Sequence, residues 1–168
     1  MKLNDFKTDL EYSLESGEDI LFDNFYRRIF GNSLVRIEKA EDLERQFQGI
    51  DKILHFDSGK KILVDEKKRR KDYGDILVEI YSNTEKKTPG WTFKPYTDYF
   101  VYAIMPAGKI YLLPALLLKL WVKENWSHIQ NYFQKIEAKN PGYITTSYAV
   151  PTDILLSGLK QIMEKSFP

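Results

Sequence analysis

An α/β or α+β fold, with a mixed central β-sheet, an antiparallel hairpin at its heart and helices on its flanks, is predicted by three features of this chain. Helical stripes open and close it, short apolar runs bounded by turn residues fill its middle, and no repeat or low-complexity tract divides it. A chain of 168 residues fits one domain, 1–168. A domain of that length buries about 70% of its unfolded surface.

The elements follow in order. Leu3, Phe6, Leu10 and Leu14 recur at helical spacing until Gly17 interrupts them. A second stripe runs through Ile20, Phe22, Phe25, Tyr26 and Ile29 to Gly31-Asn32, a C-terminal stop, so two helices are expected ahead of any strand. Ile50 to Phe56 is a compact strand-like run, Asp57-Ser58-Gly59-Lys60 a turn, and Ile62-Leu63-Val64 the opening of a partner strand. Gly74-Asp75 precedes a third strand, Ile76 to Tyr81. Tyr99 to Met105 and Lys109 to Leu113 form a further pair, joined around Pro106-Ala107-Gly108. Pro114 suits a first helical turn, where its missing N–H is no loss. Leu116, Leu117, Leu120 and Trp121 then repeat at core spacing, and the helical signal resumes through Ile129, Tyr132, Phe133 and Ile136. Asn140-Pro141-Gly142 turns the chain, Tyr143 to Val150 alternates as a strand, and Thr152 caps a last helix to Met163.

Composition narrows the function. Lys+Arg 25 against Asp+Glu 24 leaves a net charge of +1, so any attraction to phosphate must come from local clustering. The absence of cysteine excludes a disulfide scaffold, a thiolate zinc site and a Cys nucleophile. Met1-Lys2-Leu3-Asn4-Asp5 lacks the apolar core of a signal peptide, and the longest apolar run, Ile110 to Leu118, is broken by Pro114 and too short to span a bilayer. A soluble, cytoplasmic protein without membrane contact is expected.

The informative stretch is Gly49-Ile50-Asp51, the hairpin, then Val64-Asp65-Glu66-Lys67. In an antiparallel pair Asp51 and Asp65-Glu66-Lys67 lie at adjacent strand ends, so their carboxylates can converge. Side chains alternate, so Asp65 and Lys67 share one face while Glu66 points to the other. Converging carboxylates suit a hard cation such as Mg²⁺ or Mn²⁺, which activates water and neutralises charge growing on a phosphate. A lysine beside it could orient or deprotonate that water, or steady the phosphate.

A strand-borne Asp, a hairpin of this length and (D/E)-x-K on the next strand resemble the PD-(D/E)XK, or restriction-endonuclease-like, nuclease superfamily, which includes Holliday-junction resolvases. The resemblance implies metal-dependent hydrolysis of nucleic acid, with DNA as the substrate of first choice. It implies Asp51, Asp65 and Lys67 as catalytic residues and Asp51, Asp65 and the Glu66 carbonyl as metal ligands. It further implies a carboxylate from the first core helix, for which Asp23 stands nearest and Glu18 behind it. Ile50 replaces the proline of the motif. Gly49-Ile50-Asp51-Lys52, Val64-Asp65-Glu66-Lys67, Asp75-Ile76-Leu77-Val78-Glu79, Gly90-Trp91 and Asp98-Tyr99 are similar to a group of bacterial and phage-type proteins, which adds no substrate.

Several choices stay open in the sequence. Glu66-Lys67-Lys68 satisfies (D/E)-x-K as well as Asp65-Glu66-Lys67 does, and one residue of register flips every side chain; Asp65 with Lys67 is preferred. Lys67-Lys68-Arg69-Arg70-Lys71 is either an exposed turn or, through Lys68, Arg69 and Arg70, a contact to phosphate. Glu79, in an apolar strand, joins the carboxylates or pairs with Lys67 or an arginine, and Asp98 poses the same choice. Trp91 stacks on an unpaired base or plugs the core. His55 and His128 have no metal-ligand spacing and are taken as structural. The rivals to a nuclease are an inactive nucleic-acid-binding module on the same fold and an interaction domain docking through Tyr96, Tyr99 and Tyr102. The oligomeric state, a homodimer included, is left open.

Overall fold

The structure, a computed structural model, describes residues 17–165, so the stripe from Leu3 to Leu14 lies outside the described residues. Among those described, a mixed α+β fold carries five α-helices and two sheets, one mixed and one antiparallel. Helix α1 (Gly17–Phe30) comes first and turns Phe22 and Tyr26 fully inward, one turn apart, while Ile20 and Ile29 face out. The first sheet follows: β1 (Leu34–Lys39), β2 (Lys52–Phe56), β3 (Lys61–Arg69), β6 (Tyr99–Ile104) and β7 (Lys109–Pro114), in that spatial order. Its neighbours are antiparallel except β3 and β6, which run parallel. A short helix, α2 (Leu43–Phe47), joins β1 to β2.

The described strands form two sheets where one central sheet is expected from the sequence. The strand from Ile76 is β4 (Asp75–Asn83), and it leaves the hairpin's sheet to build a second one with β5 (Thr88–Pro89), β8 (Gln134–Asn140) and β9 (Tyr143–Pro151), in the order β5-β4-β9-β8. Two apolar faces drive that division. Ile76, Val78 and Ile80 are buried on β4, and Phe100, Tyr102 and Ile104 are buried on β6; they meet in one core with Trp91. Layering of the two sheets buries both rows. A smaller core lies on the other face of the first sheet, where Val64, Val101 and Ala103 pack on Phe22 and Tyr26 of α1.

Ile136 is strand, where its spacing predicts helix. Helices α3 (Ala115–Glu124) and α4 (Trp126–Tyr132) end before it, and Ile136 lies on β8. Asn140-Pro141-Gly142 is therefore a hairpin turn between β8 and β9, with Gly142 at φ 81°. Helix α5 (Thr152–Lys165) closes the described chain. Among the described residues, no helix is long and apolar enough to cross a membrane.

Candidate active site

Asp51 stands one residue ahead of β2 and continues its ladder. Its N–H donates to the Val64 carbonyl at 2.8 Å, and Lys52 lies opposite Val64, so Asp51 sits beside Asp65. Beyond Val64 the edge of β3 loses β2 as a neighbour, and the Asp51 carboxylate closes part of it: Oδ2 accepts the Glu66 N–H at 2.6 Å. The pleat then sorts the motif. Asp65 and Lys67 lie opposite Phe100 and Tyr102 and face the core between the sheets, whereas Glu66 and Lys68 lie opposite Val101 and Ala103 and face α1.

Asp65 is 1% exposed. Its Oδ1 takes a hydrogen bond from the half-buried Lys67 ammonium, and its Oδ2 is buried with no hydrogen-bond partner. Gly49 lies against that orphaned oxygen: a Cβ there would stand 3.3 Å from it, and the φ of +78° already favours glycine. Thr97 holds the loop by donating to the Gly49 carbonyl at 2.7 Å. Burial pushes the Asp65 carboxyl up to about 7, with Lys67 working against the shift and Asp51 adding to it. Burial works against charge on Lys67, but Asp65, Asp51 and Glu79 outweigh it and hold the ammonium above its ordinary range.

Glu79 reaches this face from the other sheet. Its Oε1 accepts the Trp91 N–H at 3.0 Å, and Gly90 presses so close that a Cβ would stand 2.5 Å from the Glu79 carbonyl oxygen. Burial raises the Glu79 carboxyl, while the Trp91 N–H, Lys67 and Lys94 pull it down. Of the alternatives open in the sequence, it is the Lys67 charge, with that of Lys94, that acts on Glu79. Trp91 is a core residue, 4.8 Å from the Phe100 ring centroid, and does not offer a face to a base.

The opposite face holds a separate charged group. Lys52 is 3% exposed. Its Nζ lies 2.7 Å from Asp23 Oδ1, 3.3 Å from Glu66 Oε1 and 3.4 Å from Asp19 Oδ1. Tyr26 donates to Glu66 Oε1 at 2.8 Å. Burial opposes the Lys52 charge, yet the carboxylates raise its pKa overall; burial likewise pushes Glu66 up to about 6. Asp23, expected beside the hairpin carboxylates, is thus bound to Lys52 across the sheet from Asp65. The Glu66 carboxylate is on that far side too, leaving its carbonyl as the group considered toward a metal. The side chain of Glu18 lies outside the described residues. Lys52 carries its own signal in the sequence, because a lysine inside an apolar strand calls for a buried partner.

The basic run is also reassigned. It is strand through Arg69 rather than an exposed turn. Arg69 bonds the Asp75 carboxylate, donates to the Asp75 carbonyl at 2.8 Å and lies over the Tyr73 ring, so it ties β3 to β4. The Lys68 ammonium sits 5.6 Å from the Phe22 ring centroid, and Arg70 is exposed. His55 Nε2 lies 2.8 Å from the Glu38 Oε2 acceptor, and His128 packs on Tyr132. Asp98 Oδ2 accepts the Leu63 N–H at 2.8 Å, an edge-closing bond. Of Tyr96, Tyr99 and Tyr102, Tyr96 is exposed but Tyr102 is buried, its hydroxyl accepting the Leu77 N–H at 3.2 Å, so they form no common face.

Among the described residues, no three His, Cys, Asp or Glu side chains form a cluster that could hold a metal ion. Two carboxylates do lie side by side, and one presents a buried oxygen with no donor. That donor set fits Mg²⁺ or Mn²⁺, since Mg²⁺ commonly takes one or two carboxylates and completes its shell with water and substrate phosphate. Comparison with family models, with curated proteins and with solved structures gives no match.

Proposed function

We propose that this chain is a metal-dependent nuclease of restriction-endonuclease-like type, hydrolysing phosphodiester bonds of nucleic acid, with DNA as the expected substrate. The observation that carries it is the pairing of Asp51 with a buried Asp65 whose Oδ2 lacks a partner, with Lys67 on the same face. With Lys67 on Oδ1, the buried Oδ2 is still left without a partner, and a buried acceptor of that kind is costly unless a donor or a cation meets it. Asp51 and Asp65 would hold Mg²⁺ or Mn²⁺, which supplies an activated water and charge neutralisation at phosphate.

The chain's own groups supply the rest. Lys67, kept protonated by three carboxylates, acts as a donor to a phosphate oxygen or to the attacking water rather than as a base. Glu79, anchored by the Trp91 N–H, adds to the negative field that keeps Lys67 charged. Gly49 permits the close approach of Lys94 and of Asp65 Oδ2, which a Cβ would meet at 2.8 and 3.3 Å. Lys52 neutralises Glu66 and Asp23 on the far face, which leaves Asp65-x-Lys67 as the working motif.

The test is cleavage of single-stranded, duplex and branched DNA with Mg²⁺ or Mn²⁺, beside calorimetric titration of Mn²⁺, in wild type and Asp51→Asn. Wild type should cut and bind one ion, and the variant should do neither. Metal binding undiminished in Asp51→Asn would move the ion elsewhere; wild type inert on every substrate would favour the inactive binding module.

A further inference from the structure

We infer that the groove lined by Tyr81, Phe93, Leu120 and Trp126, with Lys119 and Lys123 on its rim, seats unpaired bases of a nucleic-acid strand leading to the candidate site. This rests on the proposed function and adds a substrate class: single-stranded or unpaired nucleotides rather than intact duplex.

Three observations converge on that occupant. The first is composition. The groove encloses about 530 Å³, and among the described residues lining it three are aromatic, Tyr81, Phe93 and Trp126, while the charged ones are both lysines. Aromatic faces stack on any base, and lysines follow a phosphate backbone, so the mixture suits a single strand better than an apolar peptide. Lys119 and Lys123 stand one turn apart on α3 and so share a face.

The second is continuity with the site. Phe93 belongs to the same turn, Trp91–Phe93, whose first N–H holds Glu79. Lys119 Nζ donates at 2.5 Å to the carbonyl of Lys94, the residue whose charge acts on Glu79. The ladder between β4 and β9 slips between Glu79 and Tyr81, which accommodates one extra residue on β4 where the chain passes from the site to the groove. The third is exposure. Phe93 is 36% and Leu120 38% exposed, so the floor is open to a ligand rather than closed by the fold.

The experiment measures binding, apart from cleavage. Labelled oligothymidylate, oligouridylate and a DNA duplex are titrated, with EDTA present, into wild type, Phe93→Ala and Lys123→Glu, and folding of each variant is followed by thermal unfolding. Wild type should prefer the single strands. Phe93→Ala should weaken single-strand binding about tenfold, the scale of one lost stacking contact. Lys123→Glu, a surface change that spares the core, should weaken it and lower the salt slope by about one counterion. Preference between the two oligonucleotides tells DNA from RNA. Unchanged single-strand binding in both variants, or tighter binding of duplex by wild type, overturns the inference even if the nuclease is active. Groove-dependent binding by a protein that cuts nothing sustains it while the proposed chemistry fails.

Discussion

Lys67 and Lys68 are adjacent and chemically identical, and the pleat of β3 turns them to opposite faces. Lys67 bonds Asp65 and feels the charges of Asp51 and Glu79; Lys68 lies over Phe22. On the proposed chemistry Lys67→Ala lowers the cleavage rate by about 10²- to 10⁴-fold, the scale of a lost positioned donor or acid–base group. The variant should still fold, because Asp65 can protonate when its partner leaves. Lys68→Ala should keep the rate within a few-fold. Steady-state cleavage by both variants, with circular dichroism as the control, decides it: a dead Lys68→Ala beside a working Lys67→Ala would make Glu66-x-Lys68 the motif. At this scale much was legible in sequence. The period of two along a strand already separates Asp65 and Lys67 from Glu66. What it cannot supply is the partner each face meets, such as Lys52 for Asp23.

Among elements, the join between β4 and the Trp91–Phe93 turn governs the site. Gly90 allows the turn to touch the Glu79 backbone, and an alanine Cβ there would stand 2.5 Å from its carbonyl oxygen, with 2.7 Å to the carbon behind it. Backbone cannot yield as a flexible side chain would. Gly90→Ala should therefore cost about 1–3 kcal/mol, the range for overpacking, and weaken Mn²⁺ binding or activity by displacing Glu79 and Lys67. Urea denaturation beside metal titration measures both; a variant as stable as wild type would mean the turn is free to move. The hairpin of β2 and β3, the pair β6 and β7, and β9 were all legible, since each carries apolar residues between turn signals. β8 was not. Its residues, Gln134-Lys135-Ile136-Glu137-Ala138-Lys139-Asn140, are mostly polar, as suits a sheet edge, and Ile136 falls in helical phase with Ile129 and Phe133. β1 was missed for the same reason, its Leu34, Val35 and Ile37 sharing six positions with Arg36, Glu38 and Lys39.

For the whole molecule, the buried carboxyls couple stability to pH. Asp65 is pushed up to about 7 by burial, against roughly 3.9 for an aspartate in an unfolded chain. Between those values the folded state binds more protons than the unfolded one, so stability falls as pH rises. Glu66, pushed up to about 6 by burial, adds in the same direction over a narrower window. The surface acids held low by their partners, Asp19, Glu38 and Asp72, titrate below this window and do not cancel it. In EDTA, the unfolding free energy should decline from about pH 5 to about pH 7, and Asp65→Asn should flatten that decline. On the proposed chemistry Mn²⁺ restores wild-type stability at neutral pH, because an ion that binds only the folded state stabilises it. Chemical denaturation across the pH series tests this; stability that climbs through the window would mean Asp65 is ionised and well paired in the fold.

By itself the sequence determined the hairpin, the position of Asp51 beside Asp65, and the sharing of one face by Asp65 and Lys67. Each follows from local rules, namely turn residues, apolar runs and a period of two, which need no knowledge of distant chain. Tertiary structure alone decided that β4 would leave for a second sheet, that the charges of Glu79 and Lys67 would act on each other across the sheets, and that Lys52 would be the partner Asp23 and Glu66 meet on the far face. Those outcomes depend on which apolar face packs on which, and burial of Phe100 and Tyr102 against Ile76 and Val78 is a long-range event. A lone sequence records the faces but not their pairing.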